Sequence, residues 1–392
     1  MSKKRKSFYT KDVIIVMIAA FLFMFSTMYI NPLINGYAKQ MGASGAYAGF
    51  IVGFMSVIAM FLRPIAGHLS DRFSKYSMGV LAAIFLSLGA TGYIFAPSAN
   101  WLLPFRALTG IGQVLATVSM TTWLSFLVPR QHVGEAMGFY GLMNALAMAL
   151  APACSINLYH LLGYRHTLII AAVAAVAMLV IVQFVGDHAQ PMPTPADKKP
   201  AHFEIIQPKV LPVAILTTLF SIPYFTTQAD IVEYVEQRHL AVAVGFYFMI
   251  YAVVLLIVRI ALKNYFDTVR FGVWFWIAII AMVIYIILLA NMVNNWIMAL
   301  AAAGMAIGYG LIYSVLQSTA MLLAPMSQQG LASATFFLGL DIGMLSGPMI
   351  GGLIDDILPV KYFYYPELIL VPLAIIVYAI WHQRLNSAIG DH

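Results

Sequence analysis

Residues 63–75 read RPIAGHLSDRFSK, and this segment joins two long apolar stretches, 45–67 and 77–96. Each stretch has roughly the 20 apolar residues that a helix needs to cross a bilayer. The joining segment concentrates Arg63, Asp71, Arg72 and Lys75, in a chain where only 9% of the residues are charged. A short charged turn between two apolar helices indicates a protein that crosses a membrane more than once.

The composition of the whole chain leads to the same conclusion. The chain has 392 residues, of which 62% are hydrophobic, whereas a soluble domain has about 25% charged and about 45–50% apolar residues. Such a chain cannot cover a surface that faces water, so most soluble architectures are excluded. The single cysteine, Cys154, excludes an intrachain disulfide and a cysteine-based metal cluster.

Twelve apolar segments follow one another along the chain. The first comes after a basic N-terminus, but it is longer than the apolar core of a signal peptide, so we expect an uncleaved helix. Most separators are short and carry turn or charge signals. We therefore predict an all-α integral membrane protein with twelve transmembrane spans, numbered 1 to 12, at residues 12–36, 45–67, 77–96, 101–127, 134–157, 166–185, 210–232, 242–262, 272–291, 296–323, 331–354 and 364–381.

One separator differs from the others, because residues 186–209 contain five prolines among charged residues. Such a segment cannot pack a core, so it predicts a stiff, solvated tether on the cytoplasmic side. It divides the chain into an N-terminal bundle of six helices, 1–185, and a C-terminal bundle of six helices, 210–392.

The two halves of the chain resemble each other. At an ungapped offset of 196 residues, Arg63 meets Arg259 and Asp71 meets Asp267, and glycines and prolines also match. Transporters are often built from duplicated halves. Since six spans is an even number, we expect two pseudo-symmetric bundles that run in the same direction through the membrane.

The positive charges predict the orientation of the chain. If the N-terminus is cytoplasmic, most of the 21 Lys and Arg residues fall in cytoplasmic loops, and those outside are Lys39, Arg165, Arg238 and Lys361. This bias places both termini in the cytoplasm of a multi-pass protein of the cell membrane. The net charge of +6 is then a topology signal, so it predicts no nucleic-acid partner.

Two motifs carry a resemblance to a known family. Segment 63–75 is similar to the G-x-L-x-D-R-x-G-R signature of the major facilitator superfamily, with Ser74 where that family usually has glycine. Span 4 reads RALTGIG from Arg106, which is similar to the family's R-x-x-x-G-x-G. The resemblance covers essentially the whole chain, and it implies a secondary transporter that works by alternating access between two six-helix bundles.

The charged segment after span 2 is a candidate cytoplasmic gate, and the resemblance implies the same role. Asp71 is an anion at the membrane surface that Arg63 and Arg72 can pair with, and a helix starting near Gly330 would present its positive end there. The alternative is that the basic residues only set the topology. The predicted gate residues are Arg63, Gly67, Asp71, Arg72 and Lys75.

Two charged residues inside spans are candidates for proton coupling. Arg106 lies near the outer end of span 4, and Asp341 lies about ten residues into span 11, which at about 1.5 Å per residue is close to the bilayer midplane. Charged residues in such positions usually face the interior of the bundle with a partner. We predict that Asp341 binds and releases a proton; the alternatives are a structural hydrogen bond for Asp341 and a snorkelling role for Arg106.

Span 11 is rich in glycine, which permits close contact between helices. Its Gly-Pro pair resembles the family's antiporter motif, but that motif belongs in span 5, where the matching proline is Pro152. The Gly-Pro pair supports antiport, and its place in span 11 instead of span 5 means that it does not establish antiport. The residues predicted for helix packing are Pro152, Gly343, Gly347, Pro348 and Gly351.

Polar residues at middle or outer depths of the spans predict a substrate cavity. Each of these side chains is equally suited to a structural hydrogen bond between helices. For Asp230 the alternative is a solvated position at the outer end of span 7. The candidates are Asn31, Asn35, Gln113, Asn144, Tyr224, Asp230, Tyr309, Tyr313 and Gln317.

The resemblance implies proton-driven export of a small organic molecule or drug, with no cofactor and no metal. The alternative modes are uptake or exchange of a metabolite, including proton symport, and a receptor or scaffold that kept the fold. The chain lacks a G-x-x-x-x-G-K-[ST] phosphate loop, and its histidines are dispersed, so we predict that it is not an enzyme. We expect a functional monomer whose partners are its substrate, the proton and the lipid bilayer.

Overall fold

A computed structural model of the chain describes residues 9–190, 205–262, 265–266 and 268–388. These residues form helices and no strand. Helix Val133–Val182 is broken at Gly163, where φ is 72°, and it contains spans 5 and 6. The other spans are Lys11–Gln40, Gly45–Arg72, Lys75–Phe95, Leu102–Leu127, Leu211–Gln237, Tyr247–Leu262, Phe271–Ala290, Asn295–Leu323, Gln329–Ile357 and Leu370–Asn386.

The predicted membrane fold is confirmed. Eleven helical stretches of the described residues are long and apolar enough to cross a membrane. Span 7, Leu211–Gln237, is the remaining long helix, and its polar residues include four threonines. Three of these threonines, Thr217, Thr226 and Thr227, are buried inside the protein, so the polar face of span 7 packs against other helices.

Polar side chains in the turns cap the starts of several spans. The hydroxyl of Ser74 accepts a hydrogen bond from the backbone N–H of Ser77 at 3.1 Å, and the side-chain oxygen of Asn294 accepts one from Ile297 at 3.0 Å. Each bond satisfies an N–H group that has no partner within its own helix. Ser74 departs from the signature of the charged segment, and the cap explains how serine serves at this position.

The contacts between residues divide the chain into two compact units. The first residues of span 5 are assigned to unit 2, and the first residues of span 11 are assigned to unit 1. Unit 1 comprises Met1–His132, Met143–Ile206 and Pro325–Ala334, and unit 2 comprises Val133–Leu142, Gln207–Ala324 and Thr335–His392.

Glycines let helices approach closely inside each unit. In unit 1, a Cβ atom on Gly112 of span 4 would lie 2.7 Å from the backbone nitrogen of Leu86 in span 3. In unit 2, a Cβ atom on Gly308 of span 10 would lie 3.1 Å from the backbone nitrogen of Met282 in span 9. Small residues at such crossings allow the backbones of membrane helices to touch.

Hydrogen bonds anchor both ends of the predicted tether to the units. The carboxylate of Asp12 accepts hydrogen bonds from the backbone N–H groups of Gly186 at 3.1 Å and Asp187 at 2.9 Å. In unit 2, the N–H of Gln207 donates to the hydroxyl of Thr335 at 2.8 Å. Most of the prolines of the tether fall in 191–204, outside the described residues.

Candidate functional site

The carboxylate of Asp71 binds the beginning of span 11. It accepts hydrogen bonds from the backbone N–H groups of Gly330 at 2.6 Å and Leu331 at 3.0 Å. The first N–H groups of a helix have no partner within the helix, and they carry the positive end of its dipole. Asp71 therefore satisfies two of these groups with a full negative charge, all within unit 1.

The glycines at this contact leave no room for a side chain. A Cβ atom on Gly330 would lie 2.4 Å from the carbonyl oxygen of Gly67. A Cβ atom on Gly67 would lie 2.9 Å from the Cβ of Ala334 and 3.0 Å from the Cα of Leu331. The backbones of spans 2 and 11 touch here, so both positions require glycine for the contact to form.

The cations around Asp71 are arranged differently from the prediction that Arg63 and Arg72 pair with it. Lys75 and His68 are the basic side chains that act electrostatically on Asp71. The Lys75 ammonium is buried; it donates to the carbonyl of Ser70 and lies 5.0 Å from the centre of the Phe126 ring.

Arg63 and Arg72, the other two predicted gate cations, lie in different surroundings. Arg63 is buried and donates to the hydroxyl of Thr117 at 2.6 Å, whereas Arg72 is exposed. The reason is geometric. Arg63 lies about two helical turns before Asp71 in span 2, and its side chain extends to Thr117 of span 4.

Arg259, the residue that matches Arg63 in the repeat, also donates to backbone atoms of its own unit. Its guanidinium donates to the carbonyls of Gly138 and Gly310, both at 2.9 Å, and to the hydroxyl of Ser314 at 2.5 Å. Gly310 belongs to a π-helical turn, Ala306–Leu311, within span 10. A π turn leaves helical carbonyls available for outside donors, and Arg259 uses one of them. Lys263 and Asp267 of this second copy lie outside the described residues.

Arg106 is buried in unit 1 among neutral groups. Its side chain is 2% exposed, and its Nη2 atom donates to the side-chain oxygen of Asn31 at 2.8 Å and to the carbonyl of Val52 at 3.1 Å. Its Nε atom is buried without a hydrogen-bond partner. Among the residues that the structure describes, no carboxylate pairs with Arg106, so the site keeps its full positive charge.

Asp341 is buried in unit 2, with 7% of its surface exposed. Gly339 and Gly343 lie two residues before and after it, and both face span 7, where added Cβ atoms would lie 2.3 Å from the carbonyl oxygen of Ala214 and 1.8 Å from the hydroxyl of Ser221. Residues two apart on a helix point in nearly opposite directions. Asp341 therefore points away from span 7.

The glycines predicted for packing line this contact between spans 7 and 11. Gly347 and Gly351 continue the row at four-residue spacing; a Cβ atom on Gly347 would lie 2.9 Å from the carbonyl oxygen of Ile222. The hydroxyl of Thr226 donates to the carbonyl of Gly347 at 2.9 Å or to that of Ile222 at 3.0 Å. Pro348 is exposed on the same helix, and Pro152 is half-buried in span 5.

Three of the predicted cavity residues form one aromatic cluster in unit 2. The rings of Tyr224 and Tyr309 stack with their centroids 4.4 Å apart, and Tyr313 lies 6.0 Å from Tyr309. The cluster also contains Tyr251, 5.6 Å from Tyr224, and Phe336, 5.4 Å from Tyr313. These last two residues were missed, because aromatic residues are abundant along the chain and periodicity alone does not pick out the ones that meet.

The remaining cavity candidates are divided between the two units. In unit 1, Asn31 binds Arg106, Gln113 is half-buried and Asn144 is buried. Gln317 is fully buried in span 10. Asp230 lines a separate cavity of unit 2. The side chain of Asn35 lies outside the described part of the chain.

The sequence interpretation also missed one buried carboxylic acid. Glu367 lies in the 3-10 turn Tyr365–Ile369 before span 12 and is only 2% exposed. Its position inside the predicted span, 364–381, was the available signal. The neighbouring tyrosines and proline are typical of an interfacial turn, which made a solvated glutamate the simpler expectation.

The chain is similar to known membrane transporters over most of its length. The model of the Major Facilitator Superfamily matches residues 16–348. YhhS of Escherichia coli strain K12, an uncharacterized MFS-type transporter, is 24% identical over 332 residues, which are 81% of this chain and 80% of YhhS. A homolog of the multi-drug resistance efflux pump PmrA from Lactococcus lactis subsp. lactis strain IL1403 is 25% identical over 197 residues, 49% of this chain and 48% of that protein.

The fold has a close counterpart among solved structures. The crystal structure of the human organic anion transporter MFSD10 matches with a TM-score of 0.77 and 13% sequence identity, over 93% of this chain and 98% of MFSD10. The family model covers well over half of the chain, and the all-helical fold agrees with it. The chain therefore belongs to the major facilitator superfamily, and it is a multi-pass membrane transporter of small molecules and not an enzyme.

Proposed function

We propose that this transporter exports a small organic molecule in exchange for protons, by alternating access. The observation that carries the proposal is the burial of two ionisable side chains of opposite sign within spans, Arg106 at 2% and Asp341 at 7% exposure. Burying a charge in a membrane span is costly, and such residues usually serve an ion or substrate pathway. The relative named as a multi-drug efflux pump homolog supports export as the direction.

Asp341 is the proposed proton carrier, and Arg106 is the proposed partner charge. A carboxylic acid in a span is stable as the neutral acid when it is shielded from water and as the anion when water or a cation reaches it. Arg106 holds a positive charge with neutral partners only, so it favours the anionic state of any group that approaches it. The aromatic cluster around Tyr224 and Tyr309 supplies an apolar wall suited to an organic substrate.

The segment 63–75 is the proposed cytoplasmic gate. Asp71 holds the first turn of span 11 in unit 1, and span 11 continues along the chain into unit 2. Release of these two hydrogen bonds would free the start of span 11 to move. In this proposal both termini are cytoplasmic, the protein acts as a monomer in the cell membrane, and the moving bundles are 1–185 and 210–392.

Inside-out vesicles with an acidic interior test the proposal. Ethidium as a cationic probe and carboxyfluorescein as an anionic probe are added outside, and both probe uptake and release of internal protons are followed. We expect a probe that is taken up to release protons in the wild type and not in Asp341→Asn. Asp187→Asn, which changes an exposed carboxylate in the same way, is the matched control and should keep the exchange.

Two outcomes would contradict parts of the proposal. If Asp341→Asn keeps full proton-coupled flux, Asp341 is not the proton carrier. If protons and probe cross in the same direction, the chain is a symporter and works in uptake, which is the alternative that the sequence left open.

A further inference from the structure

A group of acidic and phenolic side chains lies at the end of unit 2 where spans 7 and 11 finish and span 12 begins. A cavity of about 60 Å³ there is lined by Asp230, Tyr234, Gly352, Asp355, Val360 and Phe363. This volume has room for a few water molecules. Asp355 is exposed and Asp230 is half-buried, so carboxylates line the route from solvent into the unit.

Glu367 lies deeper in the same region, and its carboxyl group is isolated from water. It is 2% exposed, and the hydroxyl of Thr226 lies beside it. Asp230 is close enough for its charge to act on Glu367, and Glu367 acts in the same way on Tyr285 and Tyr364. The hydroxyl of Tyr285 is also buried without a hydrogen-bond partner.

The charged groups around Glu367 do not neutralise an anion there. Asp230 of span 7 has the same sign of charge as a Glu367 carboxylate. Arg238, just after span 7, donates instead to the hydroxyl of Tyr234 at 2.5 Å and to the carbonyl of Ala290 at 3.2 Å. From span 11, Asp355 is a further acid, and from the turn before span 12, Lys361 is exposed and lies over its neighbour Tyr362. From spans 8 and 9, the titratable groups that face Glu367 are the phenols of Tyr247 and Tyr285.

An ionised carboxylate with these neighbours is strongly disfavoured. Burying an isolated charge without a partner costs far more than burying a neutral acid, and a nearby acid of the same sign adds to the cost. The hydroxyl of Thr226 lies beside Glu367 and within hydrogen-bonding distance of the backbone carbonyls of Ile222 and Gly347. While this hydroxyl donates to one of the carbonyls, its oxygen can accept a hydrogen bond from a protonated Glu367.

We propose that Glu367 is a second proton-binding site, loaded from the adjoining cavity by way of Asp355 and Asp230. In the step, an O–H bond of a hydrated proton in the cavity breaks and an O–H bond forms on the Glu367 carboxylate, so one proton enters and no other bond changes. Within the described residues, no three His, Cys, Asp or Glu side chains are placed to hold a metal ion. The chemistry of the site therefore favours a proton over a metal cation.

Gly351 makes the last step of this route possible. A Cβ atom at this position would lie 2.1 Å from the Oδ2 atom of Asp230 and 3.0 Å from the Cγ2 atom of Thr226. A side chain larger than glycine would push the Asp230 carboxylate away from its place between the cavity and Glu367. Gly245, in the turn before span 8 of the same unit, has nothing within 4 Å of an added Cβ atom and does not line the cavity, so it provides a matched control.

Infrared difference spectroscopy of the purified full-length chain in lipid nanodiscs tests the protonation directly. We expect the wild type to show the carbonyl stretch of a protonated carboxylic acid at neutral pH. This band should disappear in Glu367→Gln, move in Glu367→Asp, which keeps a carboxyl group, and stay in Asp355→Asn. A band that persists unchanged in Glu367→Gln and Glu367→Asp, or no band in the wild type, would show that Glu367 is ionised and would overturn the proposal.

A pH jump from alkaline to neutral conditions tests the route. We expect the Glu367 band to return at least about tenfold more slowly in Gly351→Ala than in Gly245→Ala, equivalent to about 1.4 kcal/mol or more in the barrier. Equal rates in these two variants would show that protons reach Glu367 by another path.

Sodium provides a further check on the identity of the ligand. If sodium, and not pH, removed the acid band, the site would take a metal cation and the proton proposal would fail. Participation of Glu367 in transport rests on the proposed function. Its protonation does not, because the infrared assay contains no transported substrate and compares the wild type with Glu367→Gln, in which Asp341 is unchanged.

Discussion

Substituting Asp71 by asparagine tests the contact that holds the first turn of span 11. The carboxylate accepts two hydrogen bonds, at 2.6 Å from Gly330 and 3.0 Å from Leu331, and hydrogen bonds to charged groups contribute about 1.5–3 kcal/mol each. Asparagine keeps one acceptor oxygen without the charge, so we expect the contact to lose the free energy of one such hydrogen bond, about 1.5–3 kcal/mol. A change of about 1.4 kcal/mol is tenfold in an equilibrium, so the released state should become about 10- to 100-fold more populated.

Cysteine labelling measures this population. Ser333 lies in the first turns of span 11, is fully buried, and its hydroxyl has no hydrogen-bond partner, so Ser333→Cys adds a thiol with little change in shape. In a Cys154→Ala background, the rate of reaction of this thiol with a maleimide reports release of span 11. We expect the rate to rise about 10- to 100-fold in Asp71→Asn, following the population worked out from the lost hydrogen bond.

Asp12 provides a matched control for the Asp71 experiment. Its carboxylate also binds two consecutive backbone N–H groups, those of Gly186 and Asp187, but it does not contact span 11. Asp12→Asn should therefore leave the labelling of Ser333→Cys unchanged. If Asp71→Asn labels no faster than Asp12→Asn, the two hydrogen bonds do not hold span 11 in place, and the proposed gate is wrong.

Two further predictions concern the same contact and the buried arginine. Gly330→Ala should raise the labelling rate of the same thiol about tenfold or more, because its Cβ would lie 2.4 Å from a backbone oxygen and such overpacking costs about 1–3 kcal/mol. Gly53→Ala, whose Cβ meets nothing within 4 Å, should leave the rate unchanged. Equal labelling rates in the two variants would contradict the steric argument. Arg106→Gln should abolish proton release on probe uptake in vesicles, whereas Arg106→Lys should retain part of it, since lysine keeps the charge but not the fork that reaches Asn31 and Val52. Full coupling in Arg106→Gln would refute a role for this charge.

The architecture of the transporter follows from patterns that are local in sequence. Long apolar helices with few charges cannot be dissolved in water, so composition and the spacing of apolar runs were enough to predict an all-helical membrane protein. The charged segment 63–75 and the RALTGIG stretch of span 4 indicated the family, because both are contiguous in the chain. The helix boundaries shifted by a few residues where capping residues such as Ser74 and Asn294 begin a span.

The candidate site was predicted only in part, because its contacts join residues that are far apart in the chain. The prediction that a helix starting near Gly330 meets the charged segment agrees with the structure, since a helix N-terminus and an anion attract each other wherever they meet. The prediction that arginines pair with Asp71 does not agree with the structure, because the direction of the Arg63 side chain depends on how span 2 packs on span 4.

The sequence by itself determined that the solvent of this chain is lipid, that it has twelve spans, and that its few charges within spans need a role. Those conclusions depend on transfer free energies, which are properties of each residue. Only the tertiary structure decided that Asp71 binds the amides of Gly330 and Leu331, that Arg106 has neutral partners, and that Glu367 is sealed from water. The burial and partners of a polar group depend on which helices surround it, and close packing of distant segments determines them.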